Sequence, residues 1–229
     1  MAPLEGFLYG ASVWLLPALT AITLHEAAHG FAAWQLGDDT AKRLGRVSMN
    51  PLRHVDPFGT FLLPAMLLLF RAPFLFGYAK PVPVNFGRLN HPRRDMVLVA
   101  LAGPGMNVAL ALIAAVLFHL VPILPDWLGP WLEDNLSNAI ILNAVLAVFN
   151  MLPLPPLDGG RVAVGLLPRS LALPLARLEP MGMLILIGVI FVLPFVLQEM
   201  GFRFNPMAEL LDTPVRLLVQ LIAALAGIG

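Results

Sequence analysis

Long apolar runs separated by short polar or proline-rich stretches set the layout of this chain. Four runs, residues 6–24, 96–124, 135–157 and 180–198, contain no Asp, Glu, Lys or Arg. Each comes close to or exceeds the roughly 20 apolar residues that a helix needs to cross a bilayer. The first run continues past His25, Glu26 and His29 to about Leu36. Two shorter runs, 57–70 and 217–229, suit a re-entrant, interfacial or compressed helix. The pattern predicts one all-α polytopic membrane domain over residues 1–229, a bundle of about 4–6 transmembrane helices. A re-entrant or extended segment is expected on its cytoplasmic side. No basic leader region precedes Gly6, so the first run is read as a mature helix and not as a signal peptide.

Composition agrees with this layout. Hydrophobic residues make up 59% of the 229 and charged residues 12%, against about 25% charged in an ordinary soluble domain. Lys and Arg number 14, as do Asp and Glu, so net charge gives no argument for nucleic acid. The absence of Cys excludes disulfides and thiolate metal sites. The placement of charge is more telling than its sum. Nine of the 14 basic residues lie between 37 and 95, and Arg161, Arg169 and Arg177 lie in 158–179. The 125–134 stretch carries Asp126, Glu133 and Asp134 and no basic residue. The positive-inside tendency puts 37–95 and 158–179 in the cytoplasm and 125–134 outside. The four long runs alternate correctly if 57–70 enters and leaves on one side.

Candidate chemistry sits within the first run. Residues 25–29 read His-Glu-Ala-Ala-His on a predicted helix. His residues at i and i+4 share a face, so both imidazoles can reach one ion, and Glu26 between them is placed as a general base. An ionised residue in the middle of a membrane helix costs at least ~2.5 kcal/mol on insertion scales, which argues for a purpose. A catalytic zinc normally has three protein ligands and one open position. Between Asp134 and Glu179 the chain has one acid, Asp158, at the cytoplasmic end of the third run. Prolines at 153, 155 and 156 end the helix before it. Gly159 and Gly160 are expected to let the backbone bend after it and aim the carboxylate inward.

The order and spacing of these elements resemble the site-2 protease family of intramembrane zinc metalloproteases. The resemblance rests on H-E-x-x-H at 25–29 and on N-x-x-P-x-P-x-L-D-G at 150–159. It includes the stretches 50–60, 79–85 and Ala-Gly-Pro-Gly-Met-Asn at 102–107. With no PDZ or CBS domain, the chain is similar to the compact prokaryotic form. The resemblance implies one zinc per chain held by His25, His29 and Asp158, with Glu26 as general base. It also implies hydrolysis of a peptide bond in or near a transmembrane segment, with single-pass membrane proteins or signal-peptide remnants as substrates. Asn150 is then a candidate oxyanion or substrate contact, and Asn107 a candidate substrate contact. The segment Lys80, Pro81, Val82, Pro83 and Val84 is a candidate edge for pairing with unwound substrate. His54 is a candidate accessory residue, whereas His91 and His119 are read as structural or solvated. The location implied is a prokaryotic cell membrane, with the site nearer the cytoplasm.

Two other classes of function make different demands on the sequence. A metal-binding transporter calls for polar residues strung across the bilayer, not one cluster facing one side. An inactive homologue that only binds partners has no need of an intact H-E-x-x-H. The topology is open to test because the chain has no native Cys. Cysteines placed at 42, 88 and 169 should react with an impermeant thiol reagent from the cytoplasmic face, and one at 127 from the other. Labelling of 42 and 88 from opposite faces would show that 57–70 crosses the bilayer.

Overall fold

The computed structural model describes residues 3–56, 80–202 and 206–228, together with Leu62 and Met66. The expected re-entrant segment at 57–70 otherwise lies outside the described residues. All regular elements among the described residues are helical. Helix α1 (Pro3–Gln35) ends where Leu36 and Gly37 turn the chain. Gly37 has φ +108°, and a Cβ there would lie 3.1 Å from Asn90 Cγ, so both backbone and space call for glycine. A short helix α2 (Thr40–Arg43) follows. Helix α3 (Pro92–Leu117) opens with Pro92 in its first turn and with the Asp95 carboxylate accepting the His91 N–H at 2.7 Å.

Helix α4 (Gly129–Asn150) begins earlier than the 135–157 run and takes in Glu133 and Asp134. It stops at Asn150, because Pro153, Pro155 and Pro156 have no N–H to continue it. Two short helices, α5 (Asp158–Leu166) and α6 (Arg169–Ala176), follow. Helices α7 (Glu179–Ile187) and α8 (Leu193–Glu199) join through a wide turn at Gly188–Val192 into one apolar stretch. Four helical stretches are long and apolar enough to cross a membrane: Leu4–Gln35, Pro92–Ile123, Gly129–Asn150 and Glu179–Glu199. The protein is an all-α, multi-pass membrane bundle. The 217–229 run, read as a short separate segment, is instead the C-terminal part of α9 (Pro206–Ala226), whose first half carries Glu209, Asp212 and Arg216.

The bundle is built with small and polar residues inside and large apolar ones outside. Along α3 every fourth residue is buried: Asp95, Val99, Gly103, Asn107, Ala111 and Ala115. That stripe meets Ala21, His25, His29 and Ala33 of α1 and Asn143, Ala144 and Ala147 of α4. Trp14, Phe31, Ile113 and Leu184 point outward. Lipid is as apolar as leucine, so helices in a membrane gain by close contact, and small residues permit it. Ile222 of α9 closes one end, packed with Ala111, Ala115, Leu136 and Ile140. His119 Nε2 donates to the Ala226 carbonyl at 2.7 Å across the same end.

The contrast between faces gives a measurable outcome. Ala111, fully buried, should not tolerate Leu: overpacking typically costs about 1–3 kcal/mol. Ile113, 54% exposed on the outer face, should tolerate Ala with a change near ~0.5 kcal/mol or less. Unfolding midpoints in detergent would rank the two. Equal shifts would contradict the assignment of inner and outer faces.

Candidate metal centre

Three buried side chains from two distant parts of the chain converge. His25 and His29 lie one turn apart on the inner face of α1, with their Nε2 atoms 3.0 Å apart. Asp158, the first residue of α5, places Oδ2 3.2 Å from each of them. These residues are 8%, 8% and 6% exposed. Among the described residues they form the one group of three that could hold a metal ion.

The outer contacts of the two rings decide which atoms face inward. His29 Nδ1 lies 2.7 Å from the Val99 carbonyl, which can only accept, so Nδ1 carries the proton and Nε2 presents a lone pair. His25 Nδ1 lies 2.5 Å from Asn107 Oδ1, and with the amide in this orientation the same arrangement follows. Two ring lone pairs and a carboxylate oxygen therefore face one another, and Asp158 Oδ2 has no hydrogen-bond donor of its own. Three acceptors held this close in a buried site repel unless a cation lies among them.

The donor set fits zinc. Bonds of ~2.0–2.1 Å in a tetrahedral site put ligand atoms about 3.3 Å apart, close to the observed 3.0 and 3.2 Å. Gly103 of α3 keeps the space beside the rings open. A Cβ there would stand 2.6 Å from His25 Nε2 and nearer still to His29 Nε2. Three protein ligands and a face lined by glycine leave room for a fourth partner, as catalytic zinc sites require.

Asp158 reaches the site through close backbone packing and not through a bend. Gly159 and Gly160, expected to turn the chain, are instead helical residues of α5. A Cβ on Gly159 would collide with the Met151 and Leu152 carbonyls, and one on Gly160 with Leu154 and Pro155. A Cβ on Gly182 of α7 would collide with the Pro155 carbonyl from the other side. The proline-rich stretch 151–157 is thus clamped against three glycines, and the clamp sets where Asp158 starts its helix.

Glu26 is half-buried, and its Oε2 accepts the Val82 N–H at 2.7 Å. Val82 lies between two prolines, so it holds the one N–H in Pro81–Val82–Pro83, and that N–H goes to Glu26. The Lys80 N–H donates to the His54 carbonyl at 2.9 Å. Arg46 holds the Lys80 carbonyl at 2.6 Å from outside. Arg46 also reaches the Pro81 carbonyl at 3.4 Å, so strand pairing along 80–84 would draw on the carbonyls beyond Pro81 and on the Val84 N–H. At the far end the Asn85 N–H donates to Asp38 Oδ2 at 2.6 Å, tying the segment to the end of α1. Enclosure of Asp38 pushes its pKa up, but bonds from the Thr40 hydroxyl and the Asn85 and Thr40 N–H groups outweigh it. With Arg88 nearby, they hold the carboxyl below its ordinary value.

The remaining candidates fall elsewhere. Asn107, read as a substrate contact, is fully buried behind His25 and donates through Nδ2 to Asn143 Oδ1 at 2.8 Å. Its amide oxygen and nitrogen are both engaged by protein groups. Asn150 turns Nδ2 back to the Leu146 carbonyl at 3.0 Å in its own helix. His54 is buried in the 46–56 loop, with Nε2 3.0 Å from the Ser48 carbonyl, and is not in the cluster. His91 is an exposed cap of α3. Val99 and Asn143 carry no signal in the sequence, and Gly103 is marked there only as part of the 102–107 stretch, with no role of its own.

Known relatives point the same way. A Bacillus subtilis (strain 168) protein provisionally named zinc metalloprotease YwhC is 39% identical over 186 residues, 79% of this chain and 80% of that protein. The Mycobacterium tuberculosis (strain H37Rv) protein provisionally named zinc metalloprotease Rip2 is 33% identical over 141 residues. That match covers 62% of this chain and about half, 52%, of Rip2. Rip2 of Mycolicibacterium smegmatis is 28% identical over the same length. No family model matches the chain, and no solved structure matches it.

Gly103 supplies the prediction. Gly103→Ala puts a methyl group against both Nε2 atoms. It should lower zinc content of the purified protein at least ~10-fold while leaving the helical circular dichroism intact. Stoichiometric zinc in Gly103→Ala would mean that this space is not where the ion sits.

Proposed function

The chain belongs to the site-2 protease family of zinc metalloproteases, and from that premise we propose that it hydrolyses a peptide bond in or near the transmembrane segment of a membrane protein. Its substrates, on this reading, are single-pass proteins or signal-peptide remnants, and the site opens toward the cytoplasmic side of a bacterial membrane. The observation that carries the reading is the buried convergence of His25, His29 and Asp158 with Glu26 one residue from a ligand.

His25 and His29 through Nε2 and Asp158 through its carboxylate would hold the zinc. When bound, zinc supplies positive charge that polarises a carbonyl and makes water easier to deprotonate. Glu26 takes the proton of the attacking water. The Val82 N–H engages Oε2 and fixes the carboxylate, leaving Oε1 for that proton. The water oxygen bonds to the carbonyl carbon, the C–N bond breaks, and Glu26 returns its proton to the departing amine. The extended segment at 80–85 lies over Glu26, with Val82 buried and Lys80 and Pro81 exposed, so an unwound substrate has a rigid edge to lie along. The distribution of Lys and Arg supports the cytoplasmic placement.

Glu26→Gln separates catalysis from metal binding. It keeps the size and an acceptor for Val82 but removes the base. The variant should keep about one zinc per chain and cleave a model transmembrane peptide at least ~100-fold more slowly. Cleavage at the native rate with zinc bound would remove Glu26 from the mechanism. Loss of zinc would make Glu26 a ligand and reopen the role of Asp158.

A further inference from the structure

The proton on His29 Nδ1 is settled by one contact, because a backbone carbonyl has no proton to give and cannot turn over. The contact of His25 Nδ1 is equally direct, but it is to a side chain. The partner, Asn107, is a primary amide, and an amide can present either its oxygen or its nitrogen to the ring. Turned over, Asn107 would offer an N–H to His25 Nδ1 and move the ring proton to Nε2, where it would block a metal. Something must hold Asn107 in the arrangement that serves the site.

The structure holds it through a second amide on a third helix. Asn143, 2% exposed on α4, donates through Nδ2 to the Ala139 carbonyl at 2.9 Å, one turn back in its own helix. Its Oδ1 is thereby turned toward Asn107 Nδ2, 2.8 Å away. Asn107 Nδ2 also lies 3.4 Å from the Ala21 carbonyl of α1, a second acceptor on the same side. Both acceptors favour the nitrogen of Asn107 facing them and its oxygen facing His25. The polarity runs in one direction: Ala139 carbonyl, Asn143, Asn107, His25 Nδ1–H, Nε2 lone pair. His25, Asn107 and Asn143 are all buried, so water does not readily replace a partner lost among them.

We infer that Asn143 is a positioning residue, which fixes the His25 tautomer through Asn107 and so prepares Nε2 to bind the metal. This rests on the reading of His25, His29 and Asp158 as a zinc site. It adds that the ligand set depends on α4 as well as on α1 and α5. A residue that merely packed between helices would affect stability but not the position of a ring proton.

The test reads that proton and the metal separately, on the full chain in detergent. Nitrogen-15 NMR of histidine-labelled protein, with only five histidines to resolve, reports which ring nitrogens are protonated. In the wild type His25 should carry a proton on Nδ1 with and without zinc. In Asn143→Leu the proton should move to Nε2 in part of the metal-free population. Zinc affinity, measured against a competing chelator, should fall ~10–100-fold, the usual effect of losing an outer partner of a metal-binding histidine. Asn143→Asp still accepts from Asn107 and should restore the tautomer and most of the affinity. Asn135→Leu removes another buried α4 amide, one bonded to Trp131 of its own helix, and should change neither. A wild-type His25 bare at Nδ1 would overturn the inference, as would a folded Asn143→Leu with native tautomer and affinity. If Asn143→Leu does not fold, the wild-type spectrum and Asn143→Ala decide the matter. A wild type that shows the Nδ1 proton but binds no zinc would instead refute the proposed function and leave the relay standing.

Discussion

Three lone pairs facing one another in a buried space are the constraint on which the rest of this structure depends. His25 Nε2, His29 Nε2 and Asp158 Oδ2 stand 3.0–3.2 Å apart, and the outer contacts of both rings draw the ring protons to the opposite nitrogens. In a medium of low dielectric that arrangement is unfavourable by itself and favourable around a divalent cation. Much of what surrounds it serves to keep the three atoms from escaping. Carbonyl and amide oxygens hold the ring protons on the outer side, and Gly103 prevents the space from filling.

The membrane setting makes such a construction workable. In a soluble protein the interior is filled by large apolar side chains, which would crowd a polar cluster. Here large side chains face outward, and the facing surfaces of α1, α3 and α4 are lined by Ala, Gly and Asn. Close helix contact brings polar groups from three helices within hydrogen-bonding distance, His25 of α1, Asn107 of α3 and Asn143 of α4, and each has a defined partner. A buried polar network is stable only when its members are satisfied. The chain Ala139–Asn143–Asn107–His25 meets that condition, and so does His29 with Val99.

The site is also assembled from pieces with different tolerance for change. The histidines sit on a long helix and share its rigidity. Asp158 depends on a proline-rich loop clamped by Gly159, Gly160 and Gly182, and Glu26 depends on an extended segment that has one N–H to offer between two prolines. The segment is in turn anchored at the Lys80 end by His54 and Arg46 and at the Asn85 end by Asp38. Residues far from the ligands in sequence thus set the aim of the base.

Much of this was legible in the sequence because its signals are local. Apolar runs of membrane length fix the helices, since lipid forces each backbone to satisfy its own hydrogen bonds. The i, i+4 spacing of His25 and His29 puts two ligands on one face without reference to anything else, and Asp158 stood out as the single acid of its region. What remained hidden depends on contacts between helices. Nothing local distinguishes Asn107 behind a histidine from Asn107 before a substrate, or marks Asn143 among the asparagines of α4. The same holds for Gly159 and Gly160, which in sequence resemble hinges because glycine bends easily. Only the carbonyls of Met151, Leu152 and Leu154 pressed against them show that it is the missing side chain, and not the flexible backbone, that the site requires.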